Sequence, residues 1–534
     1  MATKPSSKYE HIPYKVLIHS GSPAVYQLIP KKENIGNVER VTLGKKDPNK
    51  INKTILLVGE TGTGKSTLIN ALVNYAMGVE WKDDVWFQIV EEEEKKNQSE
   101  SQTTDVIVYK IFGFEGKTLP YSLTIIDTPG YEDTRRTEED ATIGQRLFQL
   151  FCLSGGVHEI NAVGLVLKGG ENRLSDRLRY IFNSVMSLFG NDMKNIVALI
   201  THTCVTPENV LKALKDANFK CAKNKKDQPL YFMFNNCQST QKTKNNKAAL
   251  KATWNSTMDQ MGQFTAFLKE TSPQNLITTV EVLDTRTRLA ACIQNLQKRI
   301  ESTELKETKI KQTLEALETH EEEMKRNVNF TVEVDEPYKD KVPISERRWW
   351  ALGLNYGGAV TCNVCQENCH NPCPLAWYPE HCEVIKGGCC IVCTGKCPVS
   401  VHVKEQWIYE SKTRKVKKTL QDLKEKYEQN KEGSESKSSL LENLKKEMEK
   451  LQKEKDQLLA ESFQHVVKLE QIALNVDSLS THVHMDFLIE KMKEKGDTEK
   501  LQKLEEIKAR MEKDKETKAA LSYGFGKIKA ALMK

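Results

Sequence analysis

Residues 59–66, GETGTGKS, constrain this 534-residue chain more than any other stretch. They match G-x-x-x-x-G-K-[ST], follow the apolar run TILLVG (54–59) and open the helical pattern STLINALVNYAM. A strand, a glycine-rich loop and a helix start, in that order, form a phosphate cradle. The glycines let the backbone close on a phosphate, and the loop amides and helix N-terminus favour negative charge there. Gly59, Glu60, Thr61, Gly62, Thr63, Gly64, Lys65, Ser66 and Thr67 are therefore candidate nucleotide contacts. Lys65 is placed for the β- and γ-phosphates and Ser66 for Mg2+. A chance glycine turn would not carry a matching strand and helix on its two sides.

The chain around this loop alternates between two periods. Strand-like runs are TILLVG, DVIVYKIF (105–112), SLTIID (122–127), AVGLVLK (162–168), NIVALIT (195–201) and LYFMFNN (230–236). Helix-like runs such as RLRYIFNSVMSLFG separate them. This order predicts an α/β domain over 51–270 with a mostly parallel sheet. Residues 1–50 read as a strand-rich N-terminal extension. DTPG (127–130) follows the third strand, so Asp127 is a candidate for Mg2+ and the Gly130 amide for the γ-phosphate. ESQTTD (100–105) precedes another strand. Thr103 and Thr104 compete there for a switch contact to Mg2+, with simple strand initiation as the alternative.

GETGTGKSTLINAL, DTPGYED, the run LVLKGGENRLSDRLRYIFNSVMSLFGNDMKNIVALITHT and the late strand YFMFNN together resemble the immunity-associated GTPases, the GIMAP or IAN group. That group lies in the septin- and Toc-like branch of G proteins. The resemblance spans about residues 53–270. It implies a Ras-like fold, GTP/GDP binding with Mg2+, and pairing of G domains. It also implies that Thr201, His202, Asn235 and Asn236 contact the base, with His202 stacking on it; an exposed loop histidine is the alternative. Two departures stand out. Most G proteins read guanine with N/T-K-x-D, whereas THTC here puts Cys204 at the carboxylate position, which leaves guanine against adenine open. Tyr131 stands where many G proteins carry a water-orienting glutamine. Slow or partner-stimulated GTP hydrolysis is expected, with Arg135 and Arg136 as candidates to act in trans or as solvated loop arginines.

Beyond residue 280 the texture changes. Leu289, Ile293, Leu296, Ile300, Ile310, Leu314, Leu317 and Met324 follow 3-4 spacing among Lys, Glu and Gln. The pattern returns at Val416, Leu420, Leu423 and Tyr427, at Leu441, Leu444, Met448 and Leu451, and at Leu501, Leu504, Ile507 and Met511. It predicts a long coiled coil over 281–327 and again within 404–534. Such seams need few apolar residues, which accounts for a hydrophobic share of only 39%. No run of about 18 apolar residues occurs, so no transmembrane helix is expected. No secretory h-region or prenylation box is read at the ends, and a cytoplasmic location is expected. A net charge of +6 from 79 basic and 73 acidic residues does not mark a nucleic-acid surface.

Nine of the 14 cysteines lie between Cys362 and Cys397. C-x2-C-x3-C occurs twice, as Cys362, Cys365, Cys369 and as Cys390, Cys393, Cys397. Zinc takes four N/S ligands in a tetrahedral array. Cys373, Cys382, His370 and His402 complete the main candidate set over 328–403, and His381 and Cys389 are in reach. These twelve candidates fill two sites with four to spare, or three sites fully; two Zn2+ sites in a paired or cross-braced module are expected. Disulfides would need an oxidising compartment. An iron–sulfur cluster would need a cysteine where Gly387 stands. FTVEV (330–334) and SVHV (400–403) are expected to pair at the base of the module, and Trp349, Trp350, Trp377 and Trp407 to pack around it.

These readings converge on a guanine-nucleotide switch or assembly protein, a homo-oligomer formed through its G domain and coiled coil, with an unidentified protein partner. The competing readings are a nucleotide-binding scaffold without significant hydrolysis and an adaptor acting through the zinc module.

Overall fold

The computed structural model describes residues 9–511, except 10–11, 13, 37, 92–104, 132–136, 171–173, 320–325, 327–330, 345–357, 374–375, 377, 420–421, 423–437 and 477–478. Two compact units divide the chain. Of the described residues, the first takes those up to 284, 469–483 and 506–511; the second takes those of 285–468 and 484–505.

The first unit begins with β1 (Tyr14–His19), β2 (Ala24–Leu28), β3 (Lys31–Ile35), β4 (Val38–Leu43) and β5 (Asn52–Gly59). Then follow α1 (Lys65–Met77), β6 (Val85–Gln88), β7 (Ile107–Ile111), β8 (Ser122–Asp127), α2 (Thr137–Cys152), β9 (Glu159–Ile160), β10 (Ala162–Lys168) and α3 (Asp176–Ser187). It continues through β11 (Ile196–Thr201), α4 (Glu208–Asp216), β12 (Tyr231–Phe234), α5 (Lys247–Glu270), β13 (Gln274–Asn275) and the start of α6 (Ile277–Thr319). The main sheet has the order β12-β11-β10-β5-β8-β7-β4-β3. From β12 to β8 neighbouring strands run parallel; β7 is antiparallel to β8, and β4 runs parallel to β7.

All six strand-like runs of the sequence lie in this sheet. The N-terminal stretch is strand-rich, as expected, and its strands join others of this unit: β4 and β3 continue the same sheet, and β2 pairs with both β1 and β6 in a small one. Strand β5 shows why the central runs are continuously apolar. Ile55 and Leu57 enter one core, with Leu68, Leu72 and Val73 of α1 and Met261 and Phe264 of α5. Leu56 and Val58 enter the other, with Leu147 of α2, Ile181 and Phe182 of α3, and Val210 of α4. A parallel strand covered by helices on both faces has no polar side to present. A late segment returns to this unit: Leu474 is buried in the second core, and its N–H donates to Phe189 O at 2.8 Å.

The second unit holds most of α6, then β14 (Thr331–Pro343), β15 (Ala359–Cys362), β16 (Glu367–His370), β17 (Ile385–Lys386), β18 (Cys389–Cys390), β19 (His402–Glu405) and β20 (Trp407–Thr419). Parts of α7 (Ser438–Ile472), α8 (Leu479–Lys495) and α9 (Thr498–Met511) complete it. β14 and β20 form one long antiparallel ribbon, from Thr331 opposite Thr419 to Pro343 opposite Trp407. This corrects two expectations. Val416 is a strand residue opposite Val334, not a heptad position. Thr331–Val334 of FTVEV pair with the end of β20, while His402 and Val403 of SVHV pair with β15. The ribbon is specified by charge as well as by β-branched residues. Lys412 meets Asp340 at 2.7 Å, Arg414 meets Glu336 at 3.0 Å and Lys415 meets Glu333 at 3.1 Å.

Leu289, Ile293, Leu296, Ile300 and Ile310 of α6 are buried, as the seam requires. Among the described residues their helix packs against other segments of this chain. Ala291 and Cys292 pack into the cysteine module. Arg299 pairs with Glu454 of α7, and Gln312 donates to Asp335 of β14. Trp407 stacks edge-on to Tyr409 under the Lys341 ammonium. Trp349, Trp350, Trp377, Leu420, Leu423 and Tyr427 lie outside the described residues. No helix of the described residues is long and apolar enough to cross a membrane.

Candidate functional site

The carboxyl ends of β5, β8, β10, β11 and β12 assemble the first site. Gly59 closes β5 under the neighbouring strand, where a Cβ would stand 2.4 Å from Val166 O. Gly64, at φ 88, turns the chain into α1. Lys65 folds back across the loop and donates to the carbonyls of Gly59 and Glu60, both at 3.1 Å. Its ammonium is buried, which pushes its pKa down to about 8 against the opposing pull of Asp127 and Glu60. Thr63 Oγ1 donates to Glu60 O at 2.8 Å and fixes the loop from within.

The DTPG loop lies directly on this cradle. Asp127 is fully buried at the end of β8, and Thr128 Oγ1 donates to Leu57 O at 2.9 Å. Thr61 N–H donates to Tyr131 O at 3.1 Å, and Tyr131 N–H donates to Gly59 O at 3.0 Å. Gly130 is the enabling residue, because a Cβ there would stand 2.5 Å from Thr61 N and Cα. The Tyr131 side chain is 1% exposed and belongs to the core. It is therefore not aimed at solvent as a water-orienting side chain would be. Ser66 and Thr67 lie on the first turn of α1, and Ser66 with Asp127 suits Mg2+ by donor type. Thr103, Thr104, Arg135 and Arg136 lie outside the described residues.

On the base side, Thr201 is buried at the end of β11. Its hydroxyl donates to Thr63 O at 2.6 Å, with Leu167 O at 3.1 Å. His202 follows at φ 57, with Nδ1 3.0 Å from Thr201 Oγ1. Burial, and then Lys168, hold its imidazole below the ordinary value. Asn235 Nδ2 donates to Cys204 Sγ at 3.5 Å, which joins THTC to the FNN loop. Both amide atoms of Asn236 are buried without a hydrogen-bond partner, an arrangement that suits reading the polar edge of a base. Two cations near the loop were not found from sequence. Arg177 of α3 meets Glu60 at 2.5 Å, and Lys168 Nζ would lie 3.6 Å from a Cβ at Gly62. Position at a strand end and beside a helix N-cap was the available signal for both.

The second site is the cysteine module. Its ligand atoms gather into three groups, each within 4.8 Å: Cys362, Cys365, Cys393, Cys397; Cys369, Cys390, Cys393, His402; and His370, Cys373, Cys382, Glu383. All ten main sequence candidates are present, whereas Cys389 is exposed and neither it nor His381 joins a group. Glu383 was missed, because a lone glutamate carries no spacing signal. The expected two sites are three groups.

The sulfurs of Cys365 and Cys397, and those of Cys373 and Cys382, are 3.6 Å apart. A disulfide needs about 2.05 Å, whereas bonds of about 2.3 Å at a tetrahedral ion space sulfurs by roughly 3.8 Å. Backbone N–H groups point at the sulfurs: Cys365 to Cys362 at 3.4 Å, Cys393 to Cys390 at 3.4 Å, Cys397 to Cys393 at 3.3 Å and Gly395 to Cys365 at 3.3 Å. Donors around sulfur favour thiolates. His402 Nδ1 faces Pro398 O at 3.0 Å, while its buried Nε2 has no hydrogen-bond partner. The first contact makes Nδ1 the N–H donor, so Nε2 keeps a lone pair for an ion. Cys292, outside the groups, has its thiol pushed up to about 11 by burial, as a packing residue should.

Residues 49–142 match the Septin family model. No curated protein matches the sequence. Toc33 from Arabidopsis thaliana, solved in complex with GDP and Mg2+, is 14% identical, with 42% of this chain and 88% of that chain covered and a TM-score of 0.28. LeoA, a bacterial dynamin GTPase from ETEC, is 13% identical, with 51% and 47% covered and a TM-score of 0.24. The stretch that carries the phosphate loop and the DTPG loop is thus similar to the septin family's G domain.

Proposed function

We propose that the chain is a guanine-nucleotide-binding switch or assembly protein of the immunity-associated type. It works in the cytoplasm with Mg2+ and with slow or partner-stimulated GTP hydrolysis. The observation that carries this is the junction at Thr201, whose hydroxyl ties the base loop to the phosphate loop through Thr63 O. One bound nucleotide would thereby be sensed at both ends. Lys65 and the loop amides hold the phosphates, Ser66 and Asp127 hold the Mg2+ that offsets phosphate charge, and His202, Asn235 and Asn236 hold the base. A γ-phosphate would compete with Tyr131 O for the Thr61 N–H, so the DTPG loop is the element that nucleotide state moves. The cysteine module holds zinc and, with the helices, supplies the surface for self-association.

The test is a competition of GTP, GDP and ATP for the purified chain, followed by phosphate release at low and high protein concentration. Tight guanine binding and turnover that rises with concentration support the proposal. Preference for ATP, or rapid turnover independent of concentration, sinks it. The second reading, a scaffold without significant hydrolysis, is favoured by the burial of Tyr131. It predicts tight guanine binding with no phosphate release at any concentration. The adaptor reading predicts no nucleotide binding.

A further inference from the structure

We infer that the cysteine module is a three-ion centre in which the Cys393 thiolate bridges two zinc-class ions and a third ion sits apart. The inference rests on the proposed zinc binding and specifies its architecture. Cys393 is the one residue common to two of the three ligand groups, and its side chain is fully buried. Seven residues serve those two groups: Cys362, Cys365 and Cys397 on one side, Cys369, Cys390 and His402 on the other, and Cys393 between them. Two tetrahedral ions need eight bonds. Seven residues supply eight bonds only if one sulfur bonds twice. Assigned to one ion alone, Cys393 would leave its neighbour with three protein ligands, the pattern of an open, water-bearing zinc. A thiolate has three lone pairs, enough for two ions and the Cys397 N–H that it accepts at 3.3 Å.

The repeats cross rather than stack. Each C-x2-C pair serves one ion, Cys362 with Cys365 and Cys390 with Cys393. The last cysteine of each repeat goes to the ion of the other: Cys397 to the first, Cys369 to the second. Six thiolates and two dications leave the pair at −2. The backbone N–H groups directed at Cys362, Cys365, Cys390 and Cys393 offset that charge. The turn carrying Cys393 is held from outside by Glu367. Its carboxylate accepts Thr394 N–H at 3.0 Å, the Thr394 hydroxyl, and Asn295 Nδ2 at 3.2 Å. Gly395 lets this turn lie on the sulfurs, since a Cβ would stand 2.8 Å from Cys397 Sγ.

The third ion takes His370, Cys373, Cys382 and Glu383. His370 Nδ1 lies 3.2 Å from Cys382 Sγ and 3.3 Å from Glu383 Oε2. Glu383 is buried, and its Oε2 faces the His370 ring without hydrogen-bond geometry. A buried carboxylate beside an imidazole and two thiols suits a shared ion.

The test uses the full chain purified with its metal. Elemental analysis should return three zinc ions per chain. Two ions would overturn the three-ion centre, and a folded, metal-free chain would overturn the zinc reading beneath it. Replacement with 113Cd should give three resonances, two of them split by scalar coupling through the shared sulfur and one unsplit. Three unsplit resonances refute the bridge. Cys373→Ser should remove one ion and leave the coupled pair, and loss of the coupling in that variant counts against separate sites. Cys393→Ser should remove two ions, while loss of one alone shows that Cys393 serves a single ion. The cadmium spectrum of the unmutated chain carries the test even where Cys393→Ser does not fold.

Discussion

Replacing Thr201 by valine tests whether the base loop and the phosphate loop act as one site. The side chain is 1% exposed, and its Oγ1 lies 2.6 Å from Thr63 O and 3.1 Å from Leu167 O. Valine keeps the volume and removes the donor. Thr63 is itself buried, so its carbonyl loses its recorded side-chain donor with little access to water. A buried acceptor left unpaired costs about 1–3 kcal/mol. Taking about 2 kcal/mol, the native arrangement of the junction falls roughly 30-fold relative to alternatives. Unfolding in urea should show a loss of about 2 kcal/mol with an unchanged m-value. Because the broken bond holds the phosphate loop, affinity for GDP should also fall by about 10-fold or more. Thr201→Ser retains the hydroxyl and should restore affinity, though not all of the stability. A valine variant that is destabilised yet binds GDP like the unmutated chain refutes the coupling. One that is unchanged in both measurements refutes the hydrogen bond itself.

Cys204→Asp should raise the preference for GDP over ADP by about 10-fold or more in competition binding, because a carboxylate accepts guanine N–H protons through charge-assisted bonds. Gly130→Ala should drive the DTPG loop off Thr61, where a Cβ meets the backbone at 2.5 Å. Amide exchange at Thr61 and Tyr131 should then accelerate about 10-fold, reflecting one lost hydrogen bond of about 1–2 kcal/mol. Burial and then Arg286 hold the His484 imidazole down to about 4 from its ordinary 6.5. A depressed folded value means that its contribution is whole above pH 6.5 and is lost as pH falls towards 4. With the side chain only half-buried, the loss is about 1–2 kcal/mol, and chemical denaturation at pH 7 and pH 5 should show it shrinking in His484→Gln.

Legibility followed the range of the forces involved. β5 was readable because burial on both faces leaves an unbroken apolar run with a glycine loop behind it. The ten cysteine and histidine candidates were readable because zinc-type ligands come in close pairs. β20 was misread from Val416, since one apolar residue among lysines satisfies a heptad and a strand equally well. Its partner β14 lies far upstream, and the match of Glu333, Glu336 and Asp340 to Lys415, Arg414 and Lys412 shows only once the two strands are set side by side. Arg177, Lys168 and Glu383 carried no pattern of their own; each matters through what a distant segment brings beside it.

The sequence by itself determined the local choices: the phosphate loop, the strands and helices of the first unit, and the candidate ligand types of the cysteine module. Those rest on φ freedom at glycine, on the periods of burial, and on the chemistry of sulfur and nitrogen, all written within a few residues. The tertiary structure alone decided which segments meet. It put β3 and β4 on the main sheet, returned Leu474 to the second core, and brought Cys393 into two ligand groups. Such contacts are selected by close packing and charge matching among segments far apart in the chain, and neither has a local signature.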